Sequence, residues 1–422
     1  MGKCVMRHQP ILVTLRRRLL MPLLLVAAVI LVIVQLQVPG GIAGAATMWR
    51  AINGDLILTA HADDTTASLN TPDNVKIALY AEDLVMPRFM VATASGSLIV
   101  THTTTGEIRL LRDSNGDNRA DSQTVLLANL DTPQGLVLDN QQLFFSEANK
   151  ISRVTLDPKT ALPLEEPVTL IEQLPAGSPF WSHNTKPLGL SPNGRLHYTI
   201  GSPCNACRPD DPRFSTMESI KPDGSDRQTV AMGLRNSIGM DWTPWSGQLY
   251  ATENARDLLG DNLPNDELNL IEHGEFYGWP YFYTDARLRG LHRNTTVRDS
   301  DHRDIDISHL PEPTAPAFAF NAHNAPLGIH FLRHSNWAQA GYPRTALVAL
   351  HGSWNRSQLD GYKVVALQWG DDGRITASDF ITGFFSAEGI IGRPTAFAED
   401  RHGNVYLSDD GGGRIYKISL AE

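Results

Sequence analysis

The sequence predicts an all-β protein: a six-bladed β-propeller that follows an N-terminal hydrophobic segment. A short alternating strand after a turn recurs along the chain, most copies have a partner strand behind them, and no convincing amphipathic helix interrupts the series. The copies read SGSLIVTH, NQQLFFSE, NGRLHYTI, SGQLYATE, RTALVALH and HGNVYLSD, and begin at Ser95, Asn140, Asn193, Ser246, Arg344 and His402. Repeated units of short strands and turns are typical of propeller blades.

The spacing of the copies gives the size of each unit. They lie about 45–57 residues apart, except for one interval near 100 residues, which leaves room for an insertion around residues 280–330. A unit of this size holds one four-stranded blade, and six such units fit residues 75–422. A β-sandwich is the alternative, and six similar units disfavour it.

The N-terminus differs from the rest of the chain. Residues 1–46 hold an apolar run, residues 19–38, that has about the length of a membrane-spanning helix. Three arginines at residues 16–18 favour a cytoplasmic N-terminus, and residues 43–45 (AGA) have the form of a signal-peptidase site. We therefore expect a signal peptide or an uncleaved inner-membrane anchor, then a linker over residues 47–74, and an exported, periplasmic body.

Charge and cysteine content narrow the class of partner. A formal net charge of −10 disfavours nucleic acid and anionic membranes, which attract basic surfaces, and leaves neutral substrates and cations open. Cys204 and Cys207 form the motif CNAC without a following His, so covalent haem attachment is not indicated. Because disulfides persist in exported proteins, a local disulfide is favoured over half of a zinc site or a redox-active dithiol.

Two polar motifs precede predicted inner strands, where a propeller directs residues from different blades toward one end of its channel. His183 lies in SHNTKPLGL, and a neutral imidazole there suits a general base. A structural His is the alternative. Arg235 and Asn236 lie in GLRNSIGM, where the guanidinium can bind a carboxylate through two hydrogen bonds. A solvated surface Arg is the alternative for this motif.

Two acid-rich loops are candidate cation sites. Residues 251–271 read ATENARDLLGDNLPNDELNLI, and hard cations bind about six to eight oxygen ligands. Residues 113–121 read DSNGDNRAD, which resembles the start of a calcium loop but has Thr124 where a bidentate Glu is expected. Each loop is either a cation site or a solvated acidic segment.

Three further segments occupy similar places in their repeats. NAHNAPLGIHF carries His323, HGSWNRS carries His351 and Arg356, and GRPTAF carries Arg393. Several positive charges beside a cation site indicate a ligand with more than one negative charge, because a neutral sugar alone does not need them.

Five segments, in order along the chain, resemble the pyrroloquinoline-quinone-dependent sugar dehydrogenases. The match is closer to the sorbosone-dehydrogenase-like branch than to soluble glucose dehydrogenase. The segments are HNTKPLGLSPNGRLHYTIGS, GLRNSIGMDWTP, ENARDLLGDNLPNDELNLI with EFYGWP, HGSWNRSQLDGYKVV and GRPTAFAEDRHGNVYLSDDGGGRIYKI. The resemblance implies a six-bladed propeller that oxidises an aldose or a related alcohol or hydrated aldehyde, with pyrroloquinoline quinone (PQQ) and Ca²⁺ as cofactors and an unidentified electron acceptor.

The resemblance also implies roles for individual residues. His183 would take the proton of the substrate hydroxyl, and Arg235 with Asn236 would contact the quinone and its carboxylates. The main-chain carbonyls of Ala255 and Arg256 match calcium ligands. The other matched cofactor-binding positions are Asn254, Asp266, His323, His351, Arg356 and Arg393.

The chain departs from soluble glucose dehydrogenase in its fifth blade. HGSWNR stands where that protein has a Lys, so His351 or Arg356 would supply the polar contact, and His323 aligns with a Thr. Two other functions remain open. One is a calcium-dependent, lactonase-like hydrolase whose carboxylates in residues 251–271 bind the metal directly, and the other is a non-catalytic binding propeller held by a membrane anchor.

Overall fold

Six four-stranded antiparallel sheets form a ring of blades in the computed structural model of the protein. The structure describes residues 27, 30–32, 66–178, 183–288, 296–386 and 389–421. The first strands of consecutive blades pack against one another all the way around, including the first strand of blade 6 against that of blade 1. The ring is therefore closed, which confirms the six-bladed propeller.

The strands are numbered in chain order, and each blade is given from its first strand at the channel to its last strand at the outer edge. Blade 1 contains β2 (Pro87–Ala92), β3 (Leu98–His102), β4 (Glu107–Arg112) and β5 (Ser122–Leu127). Blade 2 contains β6 (Leu136–Asp139), β7 (Gln142–Ser146), β8 (Ile151–Thr155) and β9 (Val168–Ile171). Blade 3 contains β10 (Leu188–Leu190), β11 (Leu196–Ile200), β12 (Thr216–Ile220) and β13 (Gln228–Met232).

The second half of the ring follows the same plan. Blade 4 contains β14 (Met240–Trp242), β15 (Leu249–Glu253), β16 (Asn265–Ile271) and β19 (Phe318–Ala322). Blade 5 contains β20 (Pro326–Phe331), β21 (Thr345–Leu350), β22 (Lys363–Trp369) and β23 (Ile375–Ile381). Blade 6 contains β26 (Pro394–Glu399), β27 (Val405–Asp409), β28 (Arg414–Leu420) and, as its outer strand, β1 (Val75–Ala81).

Blade 6 joins the two ends of the propeller. Its outer strand comes from the start of the ring and pairs antiparallel with the last strand, with Val75 opposite Leu420. The ring can therefore open only if the hydrogen bonds within a sheet are broken.

The predicted insertion lies between β16 and β19. It contains the hairpin of β17 (Phe282–Thr284) and β18 (Thr296–Arg298). A buried ion pair between Arg256 and Asp299, 2.7 Å apart, ties the insertion to the loop between β15 and β16. The remaining elements are β24 (Phe385–Ser386), β25 (Gly389–Ile390), the 3-10 turns Thr66–Ser68, Ala286–Leu288 and Ser300–His302, and the helix α1 (Ser335–Gln339).

The core lies between neighbouring blades. Every residue of β3, β11, β15, β21 and β27, which are the second strands of five blades, is buried. Both faces of these strands are covered by adjacent blades, so they combine apolar residues with polar ones that find hydrogen-bond partners. In β15, for example, the Thr252 hydroxyl donates to the carbonyl of Leu327 in the next blade. The six recurring segments of the sequence are these five strands and β7, the second strand of blade 2.

The predicted N-terminal signal or anchor lies almost wholly outside the described residues. Of residues 19–38, the structure describes residues 27 and 30–32, which are helical and exposed. Within the described part of the chain, no helix is both long enough and apolar enough to cross a membrane.

Candidate active site

One small cavity collects residues that precede the first strands of blades 3, 4 and 5 or lie in the turns after the second strands of blades 4 and 5, together with Asp266 of β16. Its volume is about 110 Å³, and we call it the hub cavity. It is lined by His183, Arg235, Asn236, Asn254, Ala255, Asp257, Asp266, His323, Ala325, Trp354 and Asn355. Seven of these residues are site residues that the sequence predicts. The common phase of the repeats therefore brings them together.

Gly201 and Ser202, which directly follow β11, hold the His183 side chain in place. The ring Nδ1 lies 3.0 Å from the carbonyl oxygen and 2.8 Å from the hydroxyl of Ser202. Since a carbonyl oxygen only accepts, the proton belongs on Nδ1, and Nε2 is left as the acceptor nitrogen. A Cβ at Gly201 would lie 2.6 Å from the His183 Cβ, so only glycine permits this approach. Burial, and then the charge of Arg235, lower the pKa of His183 to about 3, which keeps the imidazole neutral at physiological pH.

Arg235 is buried at the hub, and all of its N–H groups are directed to protein acceptors. Nε donates to the Asn205 carbonyl (2.9 Å), and Nη1 donates to the carbonyls of Asn254 (3.2 Å) and Ala255 (2.8 Å). Nη2 donates to Asn205 Oδ1 and to Asp257 Oδ2, each at 3.0 Å. The guanidinium is therefore fixed in place, and it contributes a permanent positive charge to the cavity wall.

Two buried carboxylates in the acid-rich loop bind backbone amides. Glu253 accepts from the Asn236 N–H at 2.9 Å and from the Ser237 hydroxyl. Asp266 accepts from the N–H groups of Ala255 (2.9 Å) and Ala325 (2.8 Å), and so joins blade 4 to blade 5. Burial raises the pKa of Glu253 to about 8 and that of Asp266 to about 7. The lactonase-like alternative required such carboxylates as direct metal ligands, whereas these two hold the loop that shapes the cavity.

Of the two residues whose carbonyls match calcium ligands, Ala255 lines the hub cavity and Arg256 does not. The Ala255 carbonyl already accepts a hydrogen bond from Arg235. The Arg256 side chain points away into the insertion, where it pairs with Asp299 and, at 2.9 Å, with Asp301. Among the described residues, no group of three or more His, Cys, Asp or Glu side chains is arranged to hold a metal ion.

The turn at residues 113–121 lies in blade 1, between β4 and β5. Its carboxylates accept hydrogen bonds from the turn's own backbone: Asp113 from Gly116 (2.7 Å) and Asn118 (2.8 Å), and Asp121 from Ser114 (2.8 Å). These bonds stabilise the turn, and calcium binding there stays a prediction.

His323 lies at the cavity, but both of its ring nitrogens have partners. Nε2 lies 2.9 Å from the Gly260 carbonyl and Nδ1 lies 3.1 Å from Asn355 Nδ2. His323 and Ala325 both have left-handed backbone conformations, with φ of 65° and 51°. Residues other than glycine adopt this region at a cost, and they do so mainly at functional sites and turns. The tight turn brings Asn355 and His323 to the same wall of the cavity.

Three other predicted site residues lie around the hub cavity without lining it. His351 lies 2.7 Å from Asp410, and burial lowers its pKa. Arg356 donates to the carbonyls of Asp261 (2.6 Å) and Ala322 (3.0 Å). Arg393 donates to the carbonyls of His351 (3.2 Å) and Gly352 (3.0 Å). In this structure, these side chains hold neighbouring loops.

Sequence reasoning missed Asn205, which makes two of the five contacts of Arg235. It lies between Cys204 and Cys207, which form the predicted disulfide. An asparagine in a loop does not by itself indicate a functional site, but the position of Asn205 in its repeat does. The CNAC segment follows the second strand of blade 3, as Asn254 follows that of blade 4 and Asn355 that of blade 5. A comparison of the residues that follow the second strand in every blade therefore identifies Asn205 as a candidate site residue.

Two asparagines of the hub cavity have amide oxygens that the described residues leave without a partner. Asn254 and Asn355 line the hub cavity, and the Oδ1 atom of each is buried with no hydrogen-bond partner among the described residues. Buried acceptors are normally satisfied, so two open oxygens in one cavity suit a bound donor or cation. Beside them, Trp354 is 41% exposed and presents an aromatic face at the rim.

Comparison with known proteins places the chain in a family. The TrAA12-like family model matches residues 69–421, which is most of the chain. The chain belongs to the TrAA12-like family of PQQ-dependent oxidoreductases. The family thus agrees with the resemblance seen in the five sequence segments.

Individual relatives have low sequence identity to the chain, but the similarity extends over most of its length. The chain is 28% identical over 86% of its length to an uncharacterized protein of Borreliella burgdorferi, of which it covers 93%. It is 23% identical over 82% of its length to the pyrroloquinoline quinone-dependent sugar dehydrogenase of Hypocrea jecorina, of which it covers 88%. A calcium structure of the Trichoderma reesei carbohydrate-active enzyme of family AA12 superposes with a TM-score of 0.72 at 21% identity, over 86% of this chain and 100% of that chain. The last similarity supports the fold alone.

The chemistry of the hub suits a planar, anionic quinone. Arg235 supplies positive charge, the open oxygens of Asn254 and Asn355 can accept from a donor or bind a cation, and Trp354 offers an aromatic surface. The cavity is smaller than the roughly 300–1,000 Å³ of common small-molecule pockets. A cavity of this size can enclose only part of a tricyclic ligand.

Proposed function

We propose that the protein oxidises an aldose, or a related sugar or hydrated aldehyde, with PQQ and Ca²⁺ bound at the hub cavity. When bound, PQQ supplies the acceptor for the hydride that leaves the sugar carbon. The observation that carries the proposal is His183, an imidazole oriented through Nδ1, kept neutral by burial, and placed in the same cavity as Arg235.

His183 acts as the general base. Oxidation of a hydroxyl carbon removes a hydride from carbon and a proton from oxygen, and Nε2 of His183 accepts that proton. Ser202 fixes the tautomer that leaves Nε2 available. Burial and the charge of Arg235 lower the pKa of His183 to about 3, so the imidazole is neutral at physiological pH and its Nε2 lone pair is free to accept a proton.

Arg235 and Asn236 orient the anionic cofactor. The guanidinium keeps its charge, and because its position is already fixed by the protein it would attract the anionic cofactor without first being ordered. Glu253 holds the Asn236 backbone. The Asn236 side chain is thereby presented to the cavity from a rigid support.

Calcium is proposed to bind the oxygens of residues 254–256. Asn254 Oδ1 has no partner among the described residues, and the Ala255 carbonyl has a second lone pair beside the one that accepts from Arg235. Oxygen donors of this kind are the ligands that calcium prefers.

The sugar is proposed to bind against Trp354. The exposed indole face at the rim suits the apolar face of a pyranose ring, and aromatic side chains contribute large contact area at little entropic cost. The relative from Hypocrea jecorina is named for a sugar substrate, which agrees with this class.

The proposal includes export. Residues 19–38 would serve as a signal peptide or an inner-membrane anchor, so the propeller would work in the periplasm and pass electrons to an acceptor there.

Reconstitution tests the proposal. The purified protein is mixed with PQQ and Ca²⁺, and reduction of an artificial dye is followed with a panel of aldoses. We expect dye reduction that requires both the sugar and PQQ. Calcium-dependent lactone hydrolysis without PQQ, with no dye reduction, would contradict the proposal and support the hydrolase alternative.

A further inference from the structure

The loop closed by the Cys204–Cys207 disulfide lies against the hub cavity, where Asn205 contacts Arg235. It follows β11 in blade 3, and Asn205 and Ala206 lie between the two cysteines. Asn205 is half-buried, and Cys207 is exposed.

The Asn205 side chain joins two residues of the cavity wall. Its Oδ1 accepts from Arg235 Nη2 (3.0 Å) and from the Asp257 N–H (2.7 Å), and its Nδ2 donates to the Asp257 carbonyl (3.2 Å). Asp257 in turn accepts from Arg235 through Oδ2. Arg235, Asp257 and Asn205 therefore form a closed triangle of hydrogen bonds.

The loop itself is held from three other sides. The Ser202 hydroxyl, which contacts His183, donates to the Cys204 carbonyl at 2.7 Å. His302 Nε2, from the blade 4 insertion, lies 2.6 Å from the Ala206 carbonyl. Trp279 Nε1 donates to the Asn205 carbonyl at 3.2 Å. The disulfide and these contacts leave Asn205 little freedom to follow a moving Arg235.

We propose that Asn205 is a positioning residue that fixes the Arg235 guanidinium, so that the affinity of the hub for PQQ depends on the disulfide loop. An arginine side chain has several rotatable bonds, and ordering it on binding weakens affinity. Asn205 and its clamped loop order Arg235 before the ligand arrives. The inference rests on the proposed function for the identity of the ligand, but not for the geometry.

A double-mutant cycle tests this role. The dissociation constant for PQQ is measured by quenching of tryptophan fluorescence in the full-length wild type, Asn205→Ala, Arg235→Met and the double variant. Loss of hydrogen bonds to a charged group corresponds to about a tenfold weaker affinity for Asn205→Ala. In the Arg235→Met background, the same change should have almost no effect, because Asn205 acts through Arg235.

The control removes another bridging amide. Asn74 donates to the Ala340 carbonyl (2.9 Å) and accepts from the Tyr342 hydroxyl (3.0 Å), at the edge of blade 6. Asn74→Ala should leave the PQQ affinity unchanged. An unchanged affinity in Asn205→Ala, or an equal loss in both backgrounds, would overturn the inference, since a merely structural residue acts independently of Arg235.

The outcome also separates this inference from the proposed function. If the wild type binds no PQQ, the proposed function fails, and the same four proteins are compared by urea unfolding. Coupling between the two substitutions in the free energy of unfolding then supports the anchoring of Arg235 by Asn205. Additive effects contradict it.

Discussion

The central channel has a cavity at each end, and the two cavities hold similar residue types in different states. The hub cavity, of about 110 Å³, contains His183 and Arg235. At the opposite end, where the first strands finish, a cavity of about 610 Å³ is lined by residues that include Asp241, His330, Arg333 and Glu399. We call this second space the far cavity.

Four titratable side chains of the far cavity pair with one another: Asp241 with Arg333, and His330 with Glu399. Arg333 binds both oxygens of Asp241, and His330 Nε2 lies 2.8 Å from Glu399. Glu399 also accepts from the backbone of Arg333 and His334. At the hub, by contrast, the Oδ1 atoms of Asn254 and Asn355 have no hydrogen-bond partner among the described residues, and the Nε2 of His183 is left as an acceptor. The hub cavity, although it is the smaller of the two, is therefore the one in which polar atoms of the described residues are left available to a ligand.

The largest expected difference is between the two histidines. His183→Ala should lower kcat for PQQ-dependent dye reduction by about 10²–10⁴-fold, because a general base contributes on that order. His330→Ala, at the far cavity, should leave kcat near the wild-type value. Steady-state kinetics of the two variants checks the contrast, and a comparable loss in both would break it.

Asp241→Asn should act on stability and leave activity intact. The substitution weakens the pair with Arg333, whose side chain is 44% exposed, so we expect a loss of about 1–2 kcal/mol in the free energy of unfolding. Urea unfolding gives the change, and dye reduction serves as the control. A fall in kcat without loss of stability would assign the far cavity a role in the reaction.

Two exposed tryptophans give a matched pair. Trp354 at the hub is 41% exposed, and Trp245, in the turn between β14 and β15 on the far side, is 38% exposed. Trp354→Ala should raise KM for the sugar by about tenfold, since it removes a stacking surface. Trp245→Ala should leave KM unchanged. Equal KM values in the two variants would remove Trp354 from the sugar site.

The two ends should also differ in the pH dependence of stability. Burial raises the pKa of Glu253 from 4.5 to about 8, so its contribution to stability is complete below about pH 4.5 and is lost as the pH rises through about 8. Burial also raises the pKa of Glu399, but the hydrogen bond and charge of His330 outweigh it, and the net shift is downward. Its contribution is therefore present above about pH 4.5 and is lost on acidification.

Urea unfolding between about pH 5 and pH 8 separates these cases. Relative to the wild type, Glu253→Gln should gain stability as the pH rises, by at most about 1.4 kcal/mol per pH unit. Glu399→Gln should keep a constant difference from the wild type over the same range. A constant difference for Glu253→Gln would show that its carboxylate stays ionised in the folded protein.

The propeller fold could be predicted from the sequence because each strand and turn is recognisable from a short segment of the chain. Alternating residues and turn signals recur in segments such as LIVTH of β3 and LHYTI of β11, and a constant period specifies blades whatever the loops contain. The same period placed His183, Arg235 and Asn254 at one end of the channel. These predictions depend only on where a residue falls in its repeat.

The direction of long side chains could not be predicted in this way. Arg356 and Arg393 were predicted to bind the cofactor, and this stays a prediction; in the structure, N–H groups of both donate to main-chain carbonyls of distant segments. Such acceptors exist only once the ring has closed. Asn205 was not predicted, because the CNAC motif was interpreted only through its two cysteines.

The central claim is that the hub cavity, and not the far cavity, binds PQQ. Its most direct test is a fluorescence titration of the wild type, Arg235→Met and Arg333→Met with PQQ in the presence of Ca²⁺. We predict saturable binding in the wild type and Arg333→Met, and binding weakened by at least about tenfold in Arg235→Met. Equal affinity in Arg235→Met and the wild type, or loss of binding in Arg333→Met alone, would contradict the account.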